Sequence, residues 1–269
     1  MTGRYGGYDD SESLAEYYDY AYEDPRKHDI NFFVDYSRKA SGRTLELGCG
    51  TGRVLIPTAI AGCGITGIDL SPYMLKRCQA RLSHQPDEVQ RLVHLIQVNM
   101  TGFDTGERYS LVTTAFRSFQ HLITVEEQKA CLKHINRHLV PGGLLILDIF
   151  HPYPPRLVTN PVYMEEIEDL PETKLPDGRL LRRTTRMVAF HRDQQYNDIE
   201  MFYYITHPDG RREKLVQAFP IRYFYRYEIE HLLEICGFQV VDLFGNYDRS
   251  VFTEDSPEMI FVAGKVRDS

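Results

Sequence analysis

Residues 115–122, AFRSFQHL, set Arg117 and His121 among Phe116, Phe119 and Leu122 where an apolar run closes, and His151 closes a second such run, LLILDIFH. A guanidinium offers a fork of donors suited to a carboxylate or phosphate, and an imidazole can take or release a proton near neutral pH. Upstream, Leu45-Glu46-Leu47-Gly48-Cys49-Gly50-Thr51-Gly52 places an acid ahead of three alternate glycines, and Asp69 ends the next apolar run. Glycines in such a turn permit left-handed backbone angles and let a ligand approach main-chain N–H groups. An acid closing the following strand is placed to accept from a ribose 2′- and 3′-OH. The combination reads as an adenosine-cofactor site, with a helix-capping or turn residue as the plainer reading of Asp69.

The elements that must position these residues follow from the alternation of apolar runs with helix-like stretches. Strands are predicted at 44–48, 64–69, 92–98, 109–116 and 143–150, and helices at 53–61, 72–82 and 124–138. Strands joined by helical crossovers make right-handed βαβ units, hence a parallel sheet covered on both faces. Ser71 before Pro72 supplies a helix start, and Pro141-Gly142-Gly143 predicts a break before LLILDIF. From His151 the texture changes to prolines and then to long Thr-, Val-, Phe- and Tyr-rich runs, with HPDGRR as a hairpin turn. An antiparallel sheet over 153–224, inserted into an α/β domain made of 42–152 and 225–269, is therefore expected. A helix at 226–236 stopped by Gly237 and strands at 238–244 and 258–265 complete that domain. The last two strands most simply form a hairpin, so one edge strand is expected to be antiparallel. Residues 1–41 read as an N-terminal helical cap, with Ile30, Phe33, Val34 and Tyr36 near helical spacing.

Bulk properties narrow the function. The chain has 269 residues, 42% hydrophobic and 26% charged, enough for a sizeable core. Its formal charge of −7 is the wrong sign for holding polyphosphate backbones, so nucleic acid is not expected as a partner. Neither the start MTGRYGGYDD nor LLILDIF resembles a secretion signal or a membrane span, which points to the cytoplasm. Cys49, Cys63, Cys78, Cys131 and Cys236 form no C-x-x-C pair and no cluster with His, so neither disulfides nor a metal site is expected. His134 and His138, at i and i+4, read as a solvated helix face. RLLRRTTR, 179–186, reads as a strand split between two faces and mostly solvated, with an anionic substrate or partner as the other reading.

The cofactor can be narrowed further. A dinucleotide site prefers glycine where Arg53 stands, and Glu46 is unfriendly to a pyrophosphate, so an NAD-type oxidoreductase is the weaker reading. Glu46 suits a ligand with a positive end, and S-adenosylmethionine carries an ammonium and a sulfonium beside ribose and adenine. The E-x-G-x-G-x-G run, the strand-end Asp69 and LVPGGLLIL resemble motifs of the class I S-adenosylmethionine-dependent methyltransferases over residues 44–150. YDYAY before the fold and the antiparallel insertion are similar in layout to sugar-amine and glycine/sarcosine-type N-methyltransferases. The resemblance implies a Rossmann-like seven-stranded sheet of order 3-2-1-4-5-7-6 with strand 7 antiparallel, the inserted sheet acting as a lid or homodimer surface. It also implies that Glu46, Gly48, Cys49, Gly50 and Gly52 line the methionine portion, Asp69 holds the ribose, and Leu70 and Met74 pack on the adenine. Asn99 stands where many members have an Asp that accepts from the adenine amine, with Met100 beside it. Tyr18 and Tyr22 match tyrosines that close over the cofactor, or are simply helix-packing aromatics.

Ligands of open α/β sheets sit beyond the carboxyl ends of the strands, which makes Phe116 a cofactor contact. Methyl transfer is an in-line displacement dominated by proximity and orientation, though an amine acceptor must be neutral to attack. His121 and His151 are the candidate bases, and Arg117, His121 and Tyr153 the candidate substrate contacts. Arg117 reads equally as a structural salt-bridge partner, and both histidines as structural residues. The expectation is methyl transfer to a small polar molecule, nitrogen favoured over oxygen, with a non-catalytic S-adenosylmethionine sensor or scaffold as the alternative.

Overall fold

A computed structural model of the chain describes residues 12–22, 27–153, 157 and 160–268. Residues 1–11 of the expected N-terminal cap, and Pro154 and Pro155 at the expected domain junction, lie outside the described residues. Those described form two compact units, one of 12–22 with the described part of 152–223, the other of 27–151 with 224–268. The stretch read as one helical cap is two helices, α1 (Glu12–Tyr22) in the first unit and α2 (Lys27–Lys39) in the second.

The second unit carries the site. Its sheet is built from β1 (Thr44–Leu47), β2 (Ile65–Asp69), β3 (Val93–Gln97), β4 (Tyr109–Thr114) and β5 (Leu139–Phe150), completed by β10 (Phe238–Phe244) and β11 (Glu258–Lys265). Its order is β10-β11-β5-β4-β1-β2-β3, the expected 3-2-1-4-5-7-6 read from the other edge. The antiparallel strand is β11, one place in from the edge and paired with both β5 and β10. Hydrophobicity explains why it is not the edge strand itself. All but one of the β11 residues are buried, whereas only Phe238 of β10 is.

The crossovers are α3 (Leu55–Ile60), α4 (Pro72–Leu82), the single turn α5 (Asp87–Gln90) and α6 (Val125–His138). Ser71 caps α4, its hydroxyl accepting from Met74 N–H at 3.2 Å, and Thr124 and Glu127 form a capping box on α6. Gly67 in β2 permits close packing here, since a Cβ would sit 2.3 Å from Leu55 Cδ1 and 2.8 Å from Cys49 Sγ. One core cluster joins Phe32 and Phe33 of α2 to Leu111, Ile146, Ile260 and Val262, and another joins Leu55, Ile56 and Ala59 to Ile65, Cys78 and Leu82. Pro141-Gly142-Gly143 does not interrupt β5. Leu139 opposite Tyr109 is followed by Leu144 opposite Leu111, so the residues between bulge out while the strand continues.

The first unit holds a four-stranded antiparallel sheet of β6 (Ile167–Lys174), β7 (Leu180–His191), β8 (Tyr196–Thr206) and β9 (Arg212–Arg222), after the single turn α7 (Pro161–Met164). HPDGR makes its expected hairpin, closed by His207 N–H to the Arg211 carbonyl at 2.8 Å, and LPDGR at 175–179 repeats the device. Leu14 and Tyr17 of α1 pack on Leu175, Leu181, Tyr203 and Ile205. The basic stretch is divided between faces, but Arg183 is not solvated. It is 4% exposed and donates from Nε to Asp169 at 2.9 Å, while Arg186 pairs with Glu200 at 2.6 Å and Arg179 with Asp177 at 2.6 Å. The remaining helix of the second unit, α8 (Arg226–Ile235), precedes β10.

Candidate active site

At Leu47, β1 gives way to the glycine turn, which is stitched to the neighbouring strand by Gly48 N–H and Cys49 N–H, both donating to the Ile68 carbonyl at 2.8 and 3.0 Å. Gly48 and Gly50 have φ of 69° and 54°, in the left-handed region. The two differ in surroundings. A Cβ at Gly48 would lie 2.5 Å from Ser118 Oγ, whereas one at Gly50 would meet nothing within 4 Å. Asp69 Oδ2 accepts from Gly50 N–H at 2.8 Å and Oδ1 from Ser71 N–H at 2.9 Å. Burial raises the Asp69 pKa, and these bonds oppose the rise. Asp69 therefore braces the glycine turn, and its carboxylate keeps acceptor capacity for another donor.

Glu46 is 2% exposed, and its Oε2 is buried without a hydrogen-bond partner among the described residues. Burial pushes its pKa up to about 8, against the nearby positive charge of Arg53 and helped by Asp69 and Asp29. A buried carboxylate with an idle oxygen is unfavourable until a cation or N–H donor meets it. With the open space over Gly50, this site fits the ammonium-bearing end of S-adenosylmethionine.

Arg53, the residue that breaks the dinucleotide pattern, forks onto Asp29 of α2, with Nη1 to Oδ1 at 2.9 Å and Nη2 to Oδ2 at 2.5 Å. It also lies over the Phe116 ring, 5.0 Å from the centroid. The expected strand 109–116 ends at Thr114. Residues 115–121 form a kinked 3₁₀ segment in which Phe116 (φ 55°, ψ 41°) and Arg117 (φ 66°, ψ 19°) are both left-handed. Each such L-residue costs about 1–2 kcal/mol. The turn is held by partners distant in sequence. Phe116 N–H donates to Asp148 Oδ2 at 2.8 Å, Tyr247 O–H donates to the same oxygen at 2.8 Å, and Arg117 Nη2 pairs with Glu258 Oε1 at 2.5 Å. Burial opposes the charge of Arg117, but Glu258, Asp148 and Tyr247 outweigh it and hold its pKa up.

The other candidates are distributed as follows. His151 lies at the end of β5, its Nδ1 donating to the Ser256 carbonyl at 2.8 Å and its ring edge-on to Phe252. His121 ends the 3₁₀ segment and is half-buried. Asn99 Oδ1 accepts from both Thr101 N–H and Thr101 Oγ1 at 2.9 Å, so both of its lone pairs are occupied. Met100 Cε reaches within 3.7 Å of the Cβ position of Gly48. Met74 is buried, Leu70 is half-buried, and the buried Cys49 thiol is pushed well above its ordinary pKa by burial. Tyr18, Tyr22 and Tyr153 belong to the first unit. There Tyr18 packs on Tyr22 at 4.8 Å, Arg183 lies over Tyr22 at 4.6 Å, and Tyr153 is exposed.

Sequence reasoning passed over Asp148, Glu258, Tyr247 and the Arg53–Asp29 pair. A lone acid inside LLILDIF was the one local signal available. It also misjudged His134 and His138. His138 is 6% exposed and its Nε2 accepts from Thr105 N–H at 3.2 Å, while His134 Nδ1 donates to the Phe103 carbonyl at 2.8 Å. The two rings grip the loop after β3 instead of facing water.

A seven-stranded sheet of this order with β11 antiparallel, a glycine turn after its first strand and an acid ending the second is the architecture the sequence resemblance implied for an S-adenosylmethionine-dependent methyltransferase. Comparison with known proteins agrees. The methyltransferase domain family matches residues 45–145. A putative methyltransferase of Geobacillus sp. (strain WCH70) is 31% identical over 53% of this chain and 58% of its own length. The dTDP-3-amino-3,6-dideoxy-alpha-D-glucopyranose N,N-dimethyltransferase of Streptomyces fradiae is 26% identical over 86% of each chain. The S-adenosylmethionine-bound structure of CalS10, an amino pentose methyltransferase from Micromonospora echinaspora, superimposes with a TM-score of 0.68 at 25% identity, covering 93% of this chain and 96% of that one. These likenesses support an S-adenosylmethionine-dependent methyltransferase whose layout is similar to that of the sugar-amine N-methyltransferases. Among the described residues, no helix is long and apolar enough to cross a membrane.

Proposed function

We propose that this enzyme methylates the amine of a small polar molecule. The observation that carries the reading is the fixed tautomer of His151. Because a carbonyl can only accept, Nδ1 carries a proton for Ser256, and in the neutral ring Nε2 keeps its lone pair at the carboxyl end of β5. That nitrogen is the base that takes the proton of an ammonium acceptor, leaving a neutral amine to attack. The Streptomyces fradiae relative and CalS10, both described as acting on amino sugars, support an amine as acceptor.

When bound, the cofactor supplies a methyl group already activated by its positive sulfur. Glu46 Oε2 holds the ammonium of the methionine portion, and the turn 48–52, with Cys49 contributing only backbone, lies along it. Asp69 takes the ribose hydroxyls with the acceptor capacity that its backbone donors leave. Leu70 and Met74 pack against the adenine, and the backbone of 99–100 serves its edge, since Thr101 occupies the Asn99 carbonyl. Phe116 covers the methyl side of the cofactor. Arg117 and His121 border the acceptor, Arg117 through the donors that Glu258 leaves.

Purified enzyme with S-adenosylmethionine is expected to release S-adenosylhomocysteine with members of an amine panel, and release with hydroxy compounds alone, or with neither, overturns the reading. Asp69→Ala is expected to weaken the cofactor Kd about tenfold to a hundredfold, as for the loss of hydrogen bonds to a charged group. His151→Gln is expected to leave that Kd unchanged and to lower kcat by about a hundredfold, within the span of general-base catalysis. Titration calorimetry and steady-state kinetics separate the two.

A further inference from the structure

Asp148 is fully buried on β5, between Leu147 and Ile149, where a leucine would satisfy the sheet. A carboxylate there carries a desolvation penalty, and its Oδ1 finds no partner among the described residues. Its contribution is made through Oδ2, which takes the backbone N–H of Phe116 and the hydroxyl of Tyr247. Glu258, opposite Phe150 on β11, takes the guanidinium of Arg117. Each residue of the left-handed pair is thus held by its own carboxylate, Phe116 through its main chain and Arg117 through its side chain. Without the acceptor on β5, Phe116 would relax toward negative φ and its ring would leave Arg53.

We propose that Asp148 is a positioning residue for cofactor binding, holding the 116–117 turn so that the Phe116 ring stays against Arg53, the residue that follows the glycine turn. The inference rests on the reading of Phe116 as a cofactor contact. Tyr247, anchored against Phe32 and Phe33 of α2, fixes the carboxylate from the other side.

The test measures the Kd of S-adenosylhomocysteine by calorimetry, with a thermal melt for each variant. Phe116→Ala and Asp148→Leu are each expected to weaken binding about tenfold, and the double variant to be no weaker than either alone, since both remove the same contact. Asp148→Asn keeps a carbonyl oxygen for Phe116 N–H and is expected to stay within about threefold of the native protein. Asp148→Leu that melts lower yet binds normally, or a double variant whose losses multiply, makes Asp148 merely structural and overturns the proposal. Should Asp148→Leu not fold, amide exchange at Phe116 in the native protein decides, with protection supporting the bond to Asp148 and free exchange overturning it. If Phe116→Ala binds normally while Asp69→Ala does not, the Phe116 contact and this inference fall and the cofactor site stands. If Asp69→Ala also binds normally, the cofactor-site reading falls with them.

Discussion

Glu46→Gln is expected to stabilise the cofactor-free enzyme at alkaline pH while weakening S-adenosylmethionine binding by about tenfold to a hundredfold, the worth of a charged hydrogen bond. The opposite signs share one cause. In the fold the carboxyl titrates at about 8, above its ordinary value of 4.5, because burial disfavours the charged form. Its contribution to stability is complete below pH 4.5 and is lost as pH rises through 8. A glutamine of the same shape has no charge to desolvate, so the gain in melting temperature should grow between those limits and vanish at acid pH. A cationic ligand reverses the preference by stabilising the carboxylate. Binding at pH 7 should therefore release about one proton, seen as a dependence of calorimetric enthalpy on the buffer's ionisation heat. The same titration on Glu46→Gln should show none of that release. Equal proton release from native and variant would place the ammonium elsewhere.

Arg53→Ala is expected to be the most damaging single substitution to stability, at about 3–5 kcal/mol, because it strands a buried carboxylate. Asp29 is 1% exposed and its oxygens take both ends of the Arg53 fork. For a chain of this size the loss corresponds to a fall of about 6–20 °C in melting temperature by circular dichroism. Replacing both partners, Arg53→Met with Asp29→Leu, should recover most of it, since removing a pair whole spares the desolvation of each charge. Arg53→Lys should fall between, holding the charge but not the fork. A loss confined to cofactor affinity, with an unchanged melt, would mean that Arg53 acts through the Phe116 ring instead.

Local pattern made much of this enzyme legible. Strand, glycine turn and helix succeed one another within the few residues from Thr44 to Ile60, and the Ser71-Pro72 start and the HPDGR hairpin are equally short-range. Their physics is that of neighbouring dihedrals and hydrophobic period, which a sequence states outright. Glu46 ahead of the glycines and Asp69 one strand later belong with these, because the turn that joins them is set by the same local geometry. The Pro141-Gly142-Gly143 break was misread for the opposite reason. Whether a Pro-Gly-Gly run ends a strand or bulges from it depends on the neighbouring strand's register, here Tyr109 and Leu111 against Leu139 and Leu144.

Sequence alone pointed to the superfamily and the cofactor, since both rest on residues close together in the chain, and the order of the sheet followed as what that resemblance implies. Tertiary structure decided what the charged residues near the site do. Arg117 is spoken for by Glu258, 141 residues away, Phe116 by Asp148 on another strand, and Arg53 by a helix that precedes the first strand of the sheet. Such partnerships depend on which carboxylates are stripped of water and brought within hydrogen-bond reach, and burial is a property of the packed chain that no spacing encodes.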